Sequence, residues 1–268
     1  MGLARQKAGM PPPTKAEVRA NVSSAQAKTG PRSLKERFSK GTVEWSPDLE
    51  RILALPRREK PDLQKLVEDM TRMLRKHGGT QTLREVQAWV LWEASKVKGM
   101  LAPLATGAGK TLLGMLMPMV LPPVQEPNGG FRPIRAVLLI PPDLREQFAA
   151  DWDRYGKHWR LPNLAGGKFF TPGLPVLHVI AYSELSHTKS SALMAQIKPD
   201  LVMGDEISAL RNFDTARVRR VRKFFGDFPD TMFCGWDATI TSDSIEDFWH
   251  LLAWALDVGS PTPLDQAE

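Results

Sequence analysis

Two short stretches hold the residue types of phosphate chemistry. In LATGAGKT, Leu104 to Thr111, the run Gly107, Ala108, Gly109 carries no bulky side chain. Backbone N–H groups can therefore turn toward one point, where phosphate oxygens bind at the positive end of a following helix. Lys110 would reach the β- and γ-phosphates of a nucleoside triphosphate, and the Thr111 hydroxyl would coordinate magnesium. In DLVMGDEISALRN an apolar run ends in Asp205 and Glu206. Asp205 would hold the metal through water, and Glu206 would orient and deprotonate the attacking water. Each stretch has a plainer alternative, a glycine turn for the first and an acidic helix cap for the second. Leu104 stands where the full phosphate-loop pattern has Gly or Ala. Together the two stretches point to nucleotide binding more firmly than either does alone.

Elements with two different periods must position these groups. After residue 100 the apolar runs GMLAPLA, RAVLLIPP, PVLHVIAY, DLVMGDE and TMFCGWDA read as buried parallel strands. KTLLGMLMPMV, DLREQFAADWDRYG, SALMAQI, TARVRRVRKFF and SIEDFWHLLAWAL alternate with them and read as helices. Such alternation predicts a doubly wound α/β fold with ligand at the carboxyl ends of the strands. Lys110 and Asp205 are 95 residues apart, room for two strand–helix units, and the two motif strands are expected to be neighbours. Before this region, PDLQKLVEDMTRMLRKHGG and TLREVQAWVLWEASKV carry helical apolar spacing.

The charge is unevenly placed. Of a formal net charge of +6, residues 1–42 carry +7, from nine Lys/Arg against two Asp/Glu, and the rest of the chain is near neutral. That leader is rich in Pro, Ala, Ser, Lys and Arg and poor in large apolar groups, so it is read as a disordered basic tail. It either meets a polyanion such as nucleic acid or simply solubilises the chain. The domain boundaries read as a tail over 1–42, a helical preface over 43–80, a nucleotide-binding domain over 81–260 and a tail over 261–268. The single cysteine, Cys234, excludes an internal disulfide and a cysteine-built metal cluster. Neither a signal-like nor a membrane-spanning apolar run is present, and an intracellular setting, cytoplasmic or nucleoid-associated, is expected. The five histidines show no metal-ligand spacing.

With these residues in place, the chain resembles the N-terminal RecA-like P-loop NTPase domain of superfamily 2 helicases and translocases, nearest the Swi/Snf-type branch. TLREVQAWVLWEA resembles the family's glutamine motif, LATGAGKT motif I, AVLLIPPDLREQFAADW motif Ia and VIAYSEL motif Ib. DEISALRN is similar to motif II and GWDATITSDSIEDFWHLLAWAL to motif III with the helix after it. The resemblance implies ATP and Mg2+, with Thr106, Gly107, Ala108, Gly109, Lys110 and Thr111 around the phosphates and Gln87 reading the adenine. It implies a catalytic set of Lys110, Asp205 and Glu206, with Thr111 and Asp205 at the metal. Ser208, Asp237, Ala238 and Thr239 would couple nucleotide state to grip on nucleic acid, contacted by Arg145, Tyr182 and Ser183. The chain departs from the family at Leu104, at Gly204 in place of an apolar strand residue, at Ser208 in place of His, and at Ile240 in place of Pro.

Motors of this kind bind ATP between two RecA-like domains, the second carrying an arginine finger. After motif III only DVGSPTPLDQAE remains. The expectation is an ATP hydrolase that is weak alone, its second domain supplied by another chain or missing from a fragment, and a nucleic-acid partner, DNA before RNA. The alternative is a nucleotide-responsive adaptor that binds DNA or protein without efficient turnover. A small-molecule kinase leaves Gln87 and the DEIS and DAT series unexplained.

Overall fold

A computed structural model describes residues 46–56, 59–97, 99–187, 192–240 and 245–262. The expectations for residues 1–42 and 263–268 lie outside the described residues. The chain divides into two units, at Glu59/Lys60 and again at Ala255/Leu256. In the first, α1 (Pro47–Leu53) is capped by the Ser46 side chain, which accepts from the Leu49 N–H. Arg51 of that helix donates to the carbonyls of Val258, Ser260 and Thr262, satisfying three C=O groups of the chain's returning end.

The second unit holds the sheet. Two helices precede it, α2 (Leu63–Leu74), capped by Asp62, and α3 (Glu85–Val97). Then follow β1 (Met100–Pro103), α4 (Lys110–Val120), a short antiparallel pair β2 (Val124–Gln125) and β3 (Phe131–Arg132), and β4 (Arg135–Ile140). α5 (Arg145–Tyr155), β5 (Asn163–Leu164), β6 (Val176–Ala181), α6 (Tyr182–Ser186) and α7 (Leu193–Ile197) come next. β7 (Leu201–Asp205), α8 (Ala216–Asp227), β8 (Met232–Asp237) and α9 (Trp249–Leu256) complete it. Among the described residues no helix is long and apolar enough to cross a membrane.

The expected α/β class is what folds. Six strands form one sheet in the order β1-β8-β7-β4-β6-β5, every pair parallel. Unbroken apolar runs make this possible: all five residues of β7 are buried, as parallel strands covered on both faces require. α4 is apolar nearly all round, and Leu112 through Pro118 are buried, so it is a core helix rather than a surface one. One expectation is overturned. The strands ending in the phosphate loop and in the acid pair are not neighbours, because β8 lies between them, pairing Ala102 with Trp236 on one side and Asp205 with Trp236 on the other. Sequence separation limits how many units can intervene, but strand order follows from packing of later elements.

Gly204 shows why a departure from the motif is tolerated. A Cβ there would lie 2.7 Å from Ile207 Cγ2 and 3.0 Å from the Tyr182 hydroxyl. The missing side chain is the space into which Ile207, itself fully buried, folds back over the strand end.

Candidate active site

The phosphate loop leaves β1 at its carboxyl end, where the Leu104 N–H donates to the Asp237 carbonyl. Gly107 and Gly109 both adopt positive φ, +80° and +85°, and Gly109 is the residue from which α4 starts. These left-handed conformations cost a side-chain-bearing residue about 1–2 kcal/mol, which accounts for glycine at both positions. α3 braces the loop from behind. Gln87 Nε2 donates to the Ala108 carbonyl at 3.0 Å, its Oε1 accepts from the Arg84 N–H at 2.9 Å, and the Arg84 guanidinium donates to the Gly107 carbonyl at 2.5 Å. A Cβ on Gly109 would stand 2.1 Å from Gln87 Nε2, so a side chain there would displace the glutamine amide from the loop backbone. Gln87 is 4% exposed, with its amide committed to the loop's backbone.

Lys110 opens α4 and Thr111 follows it half-buried. The Lys110 ammonium meets Glu206 Oε1 at 2.5 Å, so the loop and the acid pair converge although their strands are separated by a third. Asp205, at the end of β7, accepts from Trp236 Nε1 at 3.0 Å. Burial raises its carboxyl from 3.8 to about 6, opposed by the Lys110 charge and the tryptophan N–H and reinforced by Glu206. Glu206 sits in the left-handed region, φ 54°, a sparsely populated conformation for a residue with a side chain. This turn swings its carboxylate away from the strand axis and leaves it partly exposed.

The end of β8 ties the two halves together. Asp237 Oδ2 accepts from the Ser208 N–H at 2.8 Å, and its Oδ1 accepts from the Thr239 N–H at 2.8 Å and hydroxyl at 2.7 Å. Burial pushes this carboxyl upward, but the hydrogen bonds from Ser208 and Thr239 outweigh it and hold it below the usual range. Asp237 thus links the turn after the acid pair to the turn after β8, and Ala238 and Thr239 are exposed beside it.

Of the residues assigned to nucleic acid, Arg145 and Ser183 are exposed at the starts of α5 and α6, which follow the carboxyl ends of β4 and β6, the same end of the parallel sheet at which the loop leaves β1. Arg145 forms an ion pair with Glu184. Tyr182 does not reach the surface. It is 1% exposed, its hydroxyl donates to the Asp205 carbonyl at 2.9 Å, and burial raises its phenol well above its ordinary value. The physical reason is that Tyr182 follows β6 directly and its hydroxyl reaches across to the end of β7, which holds the ring against the sheet rather than in solvent. Sequence reasoning missed Arg84 and Trp236. Arg84 lies three residues before Gln87, a helical spacing that signals a shared face; for Trp236 only the strand register reveals its partner.

These residues fit a triphosphate with magnesium. The loop has the glycines that backbone approach demands, and the lysine and acids stand at one point. Among the described residues no group of three or more His, Cys, Asp or Glu could hold a metal by itself.

No family model matches the chain, and no curated protein matches it significantly. Among solved structures it is similar to the UvsW helicase of bacteriophage T4, at 12% identity over 76% of this chain and 67% of that one, with a TM-score of 0.43. A second structure of T4 UvsW is similar at 13% identity over 90% of this chain and 43% of that one, with a TM-score of 0.47.

Proposed function

We propose that the chain is the ATP-binding part of a superfamily 2 nucleic-acid motor, with residues 81–260 as its first RecA-like domain and the Swi/Snf-type branch as the nearest relative. The observation that carries this reading is the contact of Lys110 with Glu206, which sets a phosphate-loop lysine and a strand-end carboxylate around one space. In the proposed cycle, Lys110 would turn from Glu206 to the nucleotide phosphates, leaving the carboxylate to orient and deprotonate water. Thr111 and Asp205 would hold magnesium, whose charge would offset that developing on the transferred phosphoryl group. Asp205 must be ionised to do so, and its raised titration makes this a pH-dependent step. Asp237 transmits the change, because any shift of the turn at Ser208 pulls on the same carboxylate that orders Thr239.

DNA is the proposed polymer, the setting intracellular, and the second RecA-like domain comes from another chain or another part of a longer one. An arginine finger from that domain would add roughly 10³ to 10⁵ in rate. The test is binding of a non-hydrolysable ATP analogue, with ATP hydrolysis measured with and without DNA. Lys110→Ala should weaken analogue binding at least about tenfold, and Glu206→Gln should bind but not hydrolyse. Analogue binding that ignores Lys110→Ala would refute the site. Analogue binding that modulates DNA affinity with no turnover, even alongside a second-domain protein, would favour the adaptor alternative.

A further inference from the structure

α8 carries a face arranged against its own electrostatics. Val218, Val221, Phe224 and Phe225 are buried, and Arg217, Arg219, Arg220, Arg222 and Lys223 occupy most other positions. Lys223 pairs with Asp227 at 3.1 Å. Among the described residues Arg217, Arg219, Arg220 and Arg222 have no carboxylate partner. An ordinary solvated helix face alternates charge at i, i+3 and i, i+4. Here Arg217 with Arg220, and Arg219 with Arg222, are like charges three apart. Arg217 and Arg219 also lie in the first turn of the helix, where the backbone dipole disfavours cations, and the acid Asp227 stands at its last residue. An external polyanion would relieve both the arginine–arginine repulsion and the misfit of cations near the helix start.

Two of the arginines are also fixed in place. Arg220 donates to the Leu185 carbonyl of α6, and Arg222 lies over the Phe213 ring at 4.3 Å from its centroid. The Arg220 contact holds α8 against α6, and the Arg145–Glu184 ion pair ties the start of α5 to the start of α6, where Ser183 is exposed.

We infer that the arginine face of α8 holds the phosphodiester backbone of nucleic acid, extending the contact proposed for Arg145 and Ser183. This rests on the nucleic-acid part of the proposed function, not on its nucleotide chemistry. The test is fluorescence anisotropy with a labelled DNA duplex and single strand over a range of salt, alongside ATP-analogue binding. In the triple variant Arg217→Gln/Arg219→Gln/Arg222→Gln, the slope of log affinity against log salt should fall by roughly 2 to 3, at about 0.9 per lost phosphate contact on duplex. Analogue affinity should be unchanged, and the matching Lys triple should keep the slope. If the Gln triple melts early, Arg219→Gln and Arg222→Gln singly should each remove roughly 0.9. An unchanged slope overturns the inference and leaves the motor reading standing. A wild-type chain that binds the analogue but no nucleic acid overturns both the inference and the choice of polymer. Loss of polyglutamate binding in the variants, with DNA binding intact, would assign the face to an acidic protein instead and overturn the inference.

Discussion

Asp205→Asn should make the nucleotide-free protein more stable at pH 8, and the gain should disappear at pH 4. Asp205 is 6% exposed, and burial lifts its titration from 3.8 to about 6 in the folded chain despite the nearby Lys110 charge. The folded state therefore binds this proton more tightly than the unfolded one. Stability contributed by the group is full below about pH 4, falls as pH rises, and is lost above about 6, a difference of about 3 kcal/mol. Asparagine matches the protonated acid in shape, can still accept from Trp236 Nε1, and has no charge to desolvate. Its amide N–H groups need acceptors, which costs about 1–2 kcal/mol if they find none. The expected net gain at pH 8 is thus about 1–3 kcal/mol. Urea denaturation followed by tryptophan fluorescence at pH values from 4 to 8 measures it for both proteins. A difference independent of pH, or a variant less stable at pH 8, would refute burial as the cause. The same titration predicts that magnesium–nucleotide affinity of the wild type rises as pH passes through about 6.

Two further substitutions probe how the site is held. Gly109→Ala should lower stability by about 1–2 kcal/mol from its positive φ, more from the contact with Gln87, and abolish nucleotide binding. Gln87→Ala in the same chain should recover only the contact part, so equal melting of the single and double variants would count against the fit described. Gly204→Ala should cost about 1–3 kcal/mol by overpacking against Ile207 and Tyr182. Ile207→Ala should cost less in that background than alone, and strictly additive costs in a double-mutant cycle would show that the two do not share one space.

The α/β class and the strand and helix runs were legible because each is written locally. Period, apolar run length and motif composition depend on a residue's near neighbours in sequence. Even so, β2, β3 and β5 escaped notice, since two-residue strands have no period to read. The helix α6 lies in a stretch to which the apolar pattern assigned no helix.

The sequence by itself determined which side chains could meet phosphate and metal, and that they would project from the carboxyl ends of parallel strands. Only the tertiary structure decided that β8 stands between the two motif strands, so that Asp237 spans them and Trp236 supports Asp205. It also decided that Tyr182 is a core residue, that Gln87 grips the loop backbone, and that the gap at Gly204 belongs to Ile207. Such pairings join residues tens of positions apart, and they follow from how layers pack and which buried polar groups must find partners. No local pattern encodes that choice.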